Sequence, residues 1–479
     1  MKLDKKDIEG ILALTNMQEG MLFHYLKDPG SEYYFEQLSL DISGEMDRAI
    51  FERAWDFVTR SNEMLRTVFR WEDVGNPIQI ILKENKLQPE YYDLSGRDDD
   101  ETQKELEAIK GKDRQKKFDL REVPFRVTLC KVEDNKFQMI ISNHHILYDG
   151  WSNGIILKEF FNAYQELSGG EEPVTPLKTR FQEFLKWNQA RDIDKQEKFW
   201  SDYLKGFDAQ TEFSIIKKRN EKETAGTGHF RISIAGDQKE ELEGFAREHK
   251  ITLASLFYSV WGLLLQKYNN TDDVIFGTTV SGRNANIPGI EEVVGLFINT
   301  PPLRIKTGPG EKTADFLHRV DKELQTREAY ETASLVDIKN YSEIDNHEEL
   351  FDSIVIIENY PLDSRLRLKN TGLSVESYSM VERPHYDLNV VIEIFDGIDC
   401  VFIYDKGRYD EEDIERLGRH LGGLPGNVIN NPGKKTADIE IVSEQEKNRI
   451  LYEFNNTAVD YPKDKTIHRL IDGGVIKLI

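Results

Sequence analysis

The chain has 479 residues, 39% hydrophobic content and a formal net charge of −23, from 86 acidic and 63 basic residues. That balance argues against nucleic-acid binding, which needs clustered Lys and Arg to neutralise phosphates, and it predicts a solvated acidic surface. The longest apolar run, residues 253–265, falls well short of the roughly 20 residues that span a bilayer, and the first seven residues lack the apolar stretch of a signal peptide. A soluble, cytoplasmic protein with no membrane partner is the expectation.

Two cysteines, Cys130 and Cys400, are too few for a disulfide framework, and neither has a CxxC neighbour, so no zinc site is suggested. Cys130 ends an apolar run (Phe125-Arg126-Val127-Thr128-Leu129-Cys130) and reads as a small buried hydrophobe. Length alone suggests about three units of ~150 residues; the size that α/β layers reach favours two large lobes.

In chain order, residues 17–25 read as a capped helix start, with Glu19 four residues after Thr15. Residues 34–41 suggest a strand. Residues 46–59 carry Ile50, Ala54, Phe57 and Val58 at helical spacing. Residues 68–71 and 78–82 predict a strand pair around Gly75-Asn76-Pro77. A polar surface helix is expected over 98–117, a hairpin over 125–132 and 137–142, and a helix over 152–167. Residues 168–176, rich in Gly, Glu and Pro, form the best linker signal of the first half.

Beyond it, residues 181–204 predict an aromatic-rich helix and residues 217–228 a polar loop. Helices are then expected over 239–248, 253–268 and 314–326. Strands are expected over 274–279, 351–358, 388–394 and 401–404. Strands mixed with helices in this order imply layered α/β lobes, and two lobes meeting at a cleft place a ligand site between them.

The sharpest motif is Asn143-His144-His145-Ile146-Leu147-Tyr148-Asp149-Gly150-Trp151-Ser152. It joins an apolar strand to a helix, where open α/β folds place reactive groups. Neighbours on a strand point to opposite faces, so one histidine is expected to serve the site and the other to pack behind it. This also argues against a two-histidine metal site. Asp149 lies four residues past His145; a carboxylate there either orients an imidazole or pins the loop through an arginine. Gly150 permits a positive φ or the close approach of a substrate to backbone. Imidazole is the side chain best matched to proton transfer near neutral pH. A lone histidine would read as a satisfied core residue; the pair, the spaced acid and the glycine together point to a site.

The segment from His144 to Gly150 resembles the HHxxxDG signature of non-ribosomal peptide synthetase condensation domains. Other stretches resemble that family in its order. They include Met17-Gln18-Glu19-Gly20-Met21-Leu22-Phe23-His24, Leu65-Arg66-Thr67-Val68-Phe69, the aromatic helix at 181–187 and Ser281-Gly282-Arg283. Further on come Val294-Gly295-Leu296-Phe297-Ile298-Asn299-Thr300, Glu358-Asn359-Tyr360-Pro361, His385-Tyr386-Asp387-Leu388 and residues 404–417. Asn16 stands where the family usually has proline, and Ser61-Asn62 where it usually has an Arg-His pair.

The resemblance implies an α/β fold of two chloramphenicol-acetyltransferase-like lobes in a V, a pseudo-dimer with a central tunnel. The lobes would span 1–176 and 177–435, followed by a linker and start-of-adenylation-domain remnant at 436–479. It implies amide-bond formation between carrier-bound acyl groups, with no cofactor held by this chain and substrates delivered on phosphopantetheine arms. The implied partners are donor and acceptor peptidyl carrier domains and an adjacent adenylation domain. Carried over by residue, His145 faces the tunnel as base or as orienting group, and Gly150 keeps the acceptor's path open. His144 supports, Asp149 pairs with Arg283 to hold the loop, and Trp151, Ser152 and Asn299 line the tunnel.

The absence of a GxxxxGK[ST] phosphate loop fits a reaction driven by its own thioester. Leu421-Gly422-Gly423-Leu424-Pro425 mimics a carrier attachment motif but has proline where the modifiable serine belongs, and reads as a helix end. An epimerisation domain and a non-catalytic docking platform are the alternatives. The segment at 17–24 and Asn299-Thr300-Pro301-Pro302 resemble the condensation subtype that accepts a D-configured donor.

Overall fold

The computed structural model describes residues 4–217, 226–345, 348–358, 372–395, 397–458, and 466, 468, 469 and 471. Its first half contains β1 (Ile8–Ala13), α1 (Asn16–Lys27), β2 (Phe35–Ser43), α2 (Arg48–Ser61), β3 (Thr67–Arg70), β4 (Ile78–Leu82), β5 (Glu90–Asp93), α3 (Asp99–Gln115), β6 (Phe125–Glu133), β7 (Lys136–His144) and α4 (Gly150–Ser168). The second half contains α5 (Phe181–Gln189), α6 (Ile193–Leu204), β8 (Thr227–Ile234), α7 (Gly236–His249), α8 (Leu253–Asn269), β9 (Asp273–Thr278), β10 (Pro302–Lys306), α9 (Thr313–Arg327) and α10 (Leu335–Asn340). β11 (Ser353–Glu358), β12 (Ser374–Glu382), β13 (Leu388–Ile394), β14 (Ile398–Asp405), α11 (Glu411–Ile429) and α12 (Glu444–Asn448) follow.

Two open mixed sheets dominate this α/β fold. One runs β12-β2-β7-β6-β5, the other β10-β9-β11-β13-β14-β8, and a small third sheet runs β1-β4-β3. β2 is buried along both faces for its first six residues, as a strand with a partner on each side and layers above and below must be. Helices α2 and α4 cover this sheet through Phe51, Trp55 and Phe160, with the Trp55 and Phe160 rings stacked at 4.9 Å. The six-stranded sheet has its own core, built from α8, α9 and α11 against β9, β13 and β14.

The halves are not separate in space. β12 comes from the second half yet pairs antiparallel with β2. Phe181, Phe184, Val293, Val294, Leu296 and Phe297 pack into the core of the first half.

Several local details differ from the sequence reading. In the box that caps α1, Gln18, not Glu19, returns the hydrogen bond to Thr15. The single helix expected over 181–204 is two, because Asp192 caps a new start at α6. Leu421–Pro425 is not a helix end: α11 continues through Pro425 to Ile429. β12 was not expected because its residues, Ser374-Val375-Glu376-Ser377-Tyr378-Ser379, are mostly polar and what orders them as a strand is pairing with β2. The Asn359-Tyr360-Pro361 part of one family-like motif, most of the 217–228 loop and residues 472–479 lie outside the described residues.

Candidate active site

β7 carries the chain to His144, and the backbone N–H of His145 donates to the carbonyl of Tyr34 at 2.8 Å. Tyr34 holds a positive φ of 63°, a conformation that costs a non-glycine residue roughly 1–2 kcal/mol. It is fixed from the other side by its own N–H, which donates to the carbonyl of Arg383 at 2.8 Å.

The two histidines have different surroundings. His144 is buried at 4% exposure, and its Nδ1 accepts from the Ile146 N–H at 3.1 Å. Burial and then the neighbouring His145 push its pKa down to about 3, so it is neutral. His145 lines a cavity, with Nδ1 2.7 Å from the Tyr148 carbonyl oxygen. A carbonyl only accepts, so Nδ1 carries the proton of the neutral ring and Nε2 is an acceptor. Nε2 has no protein hydrogen-bond partner among the described residues.

Asp149 and Arg283 form a buried clasp. Asp149 is fully buried and caps α4, its Oδ1 accepting from the N–H and the hydroxyl of Ser152 at 3.1 and 2.9 Å. The same oxygen accepts from Arg283 Nη2 at 2.9 Å, and Oδ2 accepts from the Phe297 N–H at 3.1 Å. Arg283 also donates through Nη1 to the carbonyls of Ile290 and Val293 at 2.9 and 2.8 Å, and lies 4.2 Å from the Phe297 ring centroid. The clasp therefore ties the start of α4 to residues 283–297. Among the described residues, no hydrogen bond or ion pair joins Asp149 to the His145 ring.

The cavity beside His145 has a volume of about 270 Å³ and is walled by Trp151, Met21, Tyr34, Thr300 and His385, among others. A second, of about 400 Å³, lies between β12 and the six-stranded sheet. Gly150, Glu358 and Glu382 line both. Gly150 opens α4 without a positive φ, so of its two expected roles only the absence of a side chain remains.

Ser152 and Asn299 stand outside both cavities. Ser152 is fully buried and lines neither cavity, because its hydroxyl is held by Asp149, Arg283 and Gly295. Asn299 lines neither; its Nδ2 donates to the carbonyls of Glu331 and Ala333 at 2.6 and 2.8 Å, and it edges a small neighbouring depression.

Sequence reasoning missed Glu36 and Glu382. Glu36 is 2% exposed on β2, opposite Asn143 on one side and Glu382 on the other. Burial, then Asp149 and Glu358, push its pKa up to about 8, against the lowering effect of Asn143. Burial and then Glu36 also raise that of Glu382. The available signal was the run Tyr33-Tyr34-Phe35-Glu36-Gln37-Leu38, a charged residue inside a strand with no polar alternation. Among the described residues, no group of three or more His, Cys, Asp or Glu is placed to hold a metal ion, and no helix is long and apolar enough to cross a membrane.

A family model described as the condensation domain matches residues 8–451. The chain is 33% identical over 472 residues to bacitracin synthase 3 of Bacillus licheniformis, covering 97% of this chain and 7% of that protein. To gramicidin S synthase 2 of Brevibacillus brevis it is 32% identical over 478 residues, covering 99% of this chain and 11% of that protein. It thus spans only a small fraction of the length of either relative.

The starter condensation domain of rhizomide synthetase RzmA superposes with a TM-score of 0.75 at 18% identity, covering 91% of this chain and 100% of that one. The first condensation domain of the calcium-dependent antibiotic synthetase, in complex with a substrate analogue, gives 0.74 at 17%, covering 91% and 100%. At that identity the two structures establish the fold. The chain belongs to the condensation-domain family, the acyltransferases that form amide bonds in non-ribosomal peptide synthetases.

Proposed function

We propose that this chain joins two carrier-bound acyl groups at the meeting point of its two cavities. The amine of an acceptor aminoacyl thioester attacks the carbonyl carbon of a donor aminoacyl or peptidyl thioester. The C–N bond forms, the C–S bond breaks, and the donor's phosphopantetheine leaves as a thiolate that receives the proton His145 takes from the amine. His145 Nε2 accepts the N–H of the attacking amine and takes its proton; Gly150 leaves the acceptor's path clear. The observation that carries this reading is that the cavity lined by His145 shares Gly150, Glu358 and Glu382 with the one beyond it, which leaves room for two tethered reactants to meet.

A thioester is activated enough to make amide formation downhill, so positioning is the main task. Well-oriented reactants gain on the order of 7–11 kcal/mol from it. Donor and acceptor carrier domains and an adjacent adenylation domain are the proposed partners, with phosphopantetheine brought by the carriers. The proposed lobes are 1–176 and 177–435, with 436–479 as linker. Likeness at 17–24 and 299–302 supports a D-configured donor residue.

The test loads donor and acceptor carriers separately, mixes them with this chain and follows the acceptor-bound product by mass. A condensed thioester that requires His145 is the expected result. Exchange of the α-proton on a single loaded carrier, with no condensed product, would make the chain an epimerase. Neither reaction would leave a docking platform.

A further inference from the structure

We propose that the His145 cavity selects an acceptor residue with an uncharged, aliphatic side chain. The inference rests on the reading of His145 given above.

Covalent connectivity puts the acceptor's side chain in this cavity. The amine that His145 Nε2 accepts is bonded to the acceptor's α-carbon, and the side chain leaves from that same carbon. An amine within hydrogen-bond reach of His145 therefore holds the start of its side chain in the space that His145 lines.

The wall of that space is aliphatic. Met17 and Met21 come from α1, one turn apart and so on one face of the helix. Ile354 and Ile356 come from β11, where alternate residues share a face of the sheet. Ile298 is the fifth apolar side chain of the lining. None of the five lines the second cavity, which carries His229, Arg231 and Glu393 instead. Apolar wall gains when an apolar group covers it, whereas a polar group that loses its water there without a new partner is penalised.

Charge points the same way. Glu36, Glu358 and Glu382 also line the cavity. Burial, joined by neighbouring carboxyls, holds both Glu36 and Glu382 above the usual carboxylate range. The site thus already resists negative charge. Arg383, the guanidinium of the lining, is paired with Glu32 at 2.5 Å. An aspartate side chain would meet aliphatic wall and carboxyls, with that guanidinium already taken.

Leucine and aspartate branch at the same carbon and have nearly the same shape, so comparing them reads polarity rather than size. The probes are leucine, alanine and aspartate joined to pantetheine through an amide in place of the thioester, so that they bind without reacting. Calorimetry is expected to rank leucine first and aspartate last. Leucine should exceed alanine by about tenfold or more, the worth of a few methylenes in an apolar pocket, and aspartate by about 100-fold. Acceptor carriers loaded beforehand with the same residues and set in competition are expected to condense in that order.

Ile356→Lys puts a cation on the wall and is expected to raise the aspartate-to-leucine ratio about tenfold or more, since specificity is a difference of two affinities. Met17→Lys does the same from the other half of the chain and keeps the test standing if Ile356→Lys does not fold. A native chain that binds aspartate as tightly as leucine overturns the proposal. So does a native ratio in the folded lysine variants. A preserved leucine preference in binding with no condensation of any acceptor instead overturns the functional reading beneath it.

Discussion

His144 and His145, adjacent in the chain, carry their ring protons on opposite nitrogens. Nδ1 of His144 accepts from the Ile146 N–H, whereas Nδ1 of His145 donates to the Tyr148 carbonyl. One loop of backbone thus sets both tautomers, and of the two only His145 lines the cavity. His145→Ala is expected to slow condensation by about 10²–10⁴-fold, the usual worth of a general base, with the melting temperature nearly unchanged. Product formation by mass and a thermal melt check this together. A loss under tenfold reduces His145 to an orienting group.

Asp149→Ala removes the carboxylate paired with a guanidinium whose side chain is 5% exposed. Breaking a buried pair from one side costs about 3–5 kcal/mol, because the remaining charge stays buried. Denaturant unfolding should show a loss of that order, and Arg283→Met added to Asp149→Ala should recover part of it. An Asp149→Ala protein of native stability that is nonetheless inactive would point to a chemical role for this carboxylate.

Gly150→Val is expected to abolish condensation while leaving the fold intact. The side chain would enter the point where the two cavities meet, and valine is no poorer a helix former than the glycine it replaces. Carrier-loading and mass analysis read the activity; an active variant would show that the reactants do not meet at Gly150.

Gly282 has a φ of +63°, and an added Cβ would collide with the Phe297 carbonyl oxygen. Gly282→Ala should therefore destabilise by more than about 1 kcal/mol and loosen the Arg283 clasp beside it. Denaturation midpoints compared at constant m-value measure this.

The pH dependence of stability follows from His144. Its folded pKa, about 3, is below the free value of 6.5. Below pH 6.5 the unfolded chain takes up a proton that the folded chain refuses, so stability is lost as pH falls toward 3. This group contributes about 1.4 kcal/mol per pH unit. Glu36 has the opposite sign: its raised pKa, about 8 against a free value of 4.5, adds stability as pH falls through that window. Between 4.5 and 6.5 the two oppose each other. His144→Gln should therefore gain stability relative to the native protein on acidification below 6.5; a constant difference would mean that His144 is not held neutral.

Much of the architecture was legible in local pattern. The hairpin of β6 and β7, the helices α2, α8 and α9, and the strand-to-helix placement of the histidine loop follow from apolar pattern and turn residues, and α3 from its polar run. The motif from Asn143 to Ser152 was legible as a site because its residue types and spacing are chemical statements in themselves.

Other features depended on partners far away in the chain. β12 is polar and becomes a strand only because β2 offers it an edge. Ser152 and Asn299 stand outside both cavities, their side chains held by hydrogen bonds to Asp149, Arg283, Glu331 and Ala333. Glu36 lies 107 residues from Asn143. Periodicity reports which face of an element is buried; it does not report what that face meets. The sequence by itself determined which residues could do chemistry. Which nitrogen of His145 is free for it was decided only when the loop folded so that the Tyr148 carbonyl met Nδ1, since a tautomer is set by neighbours in space.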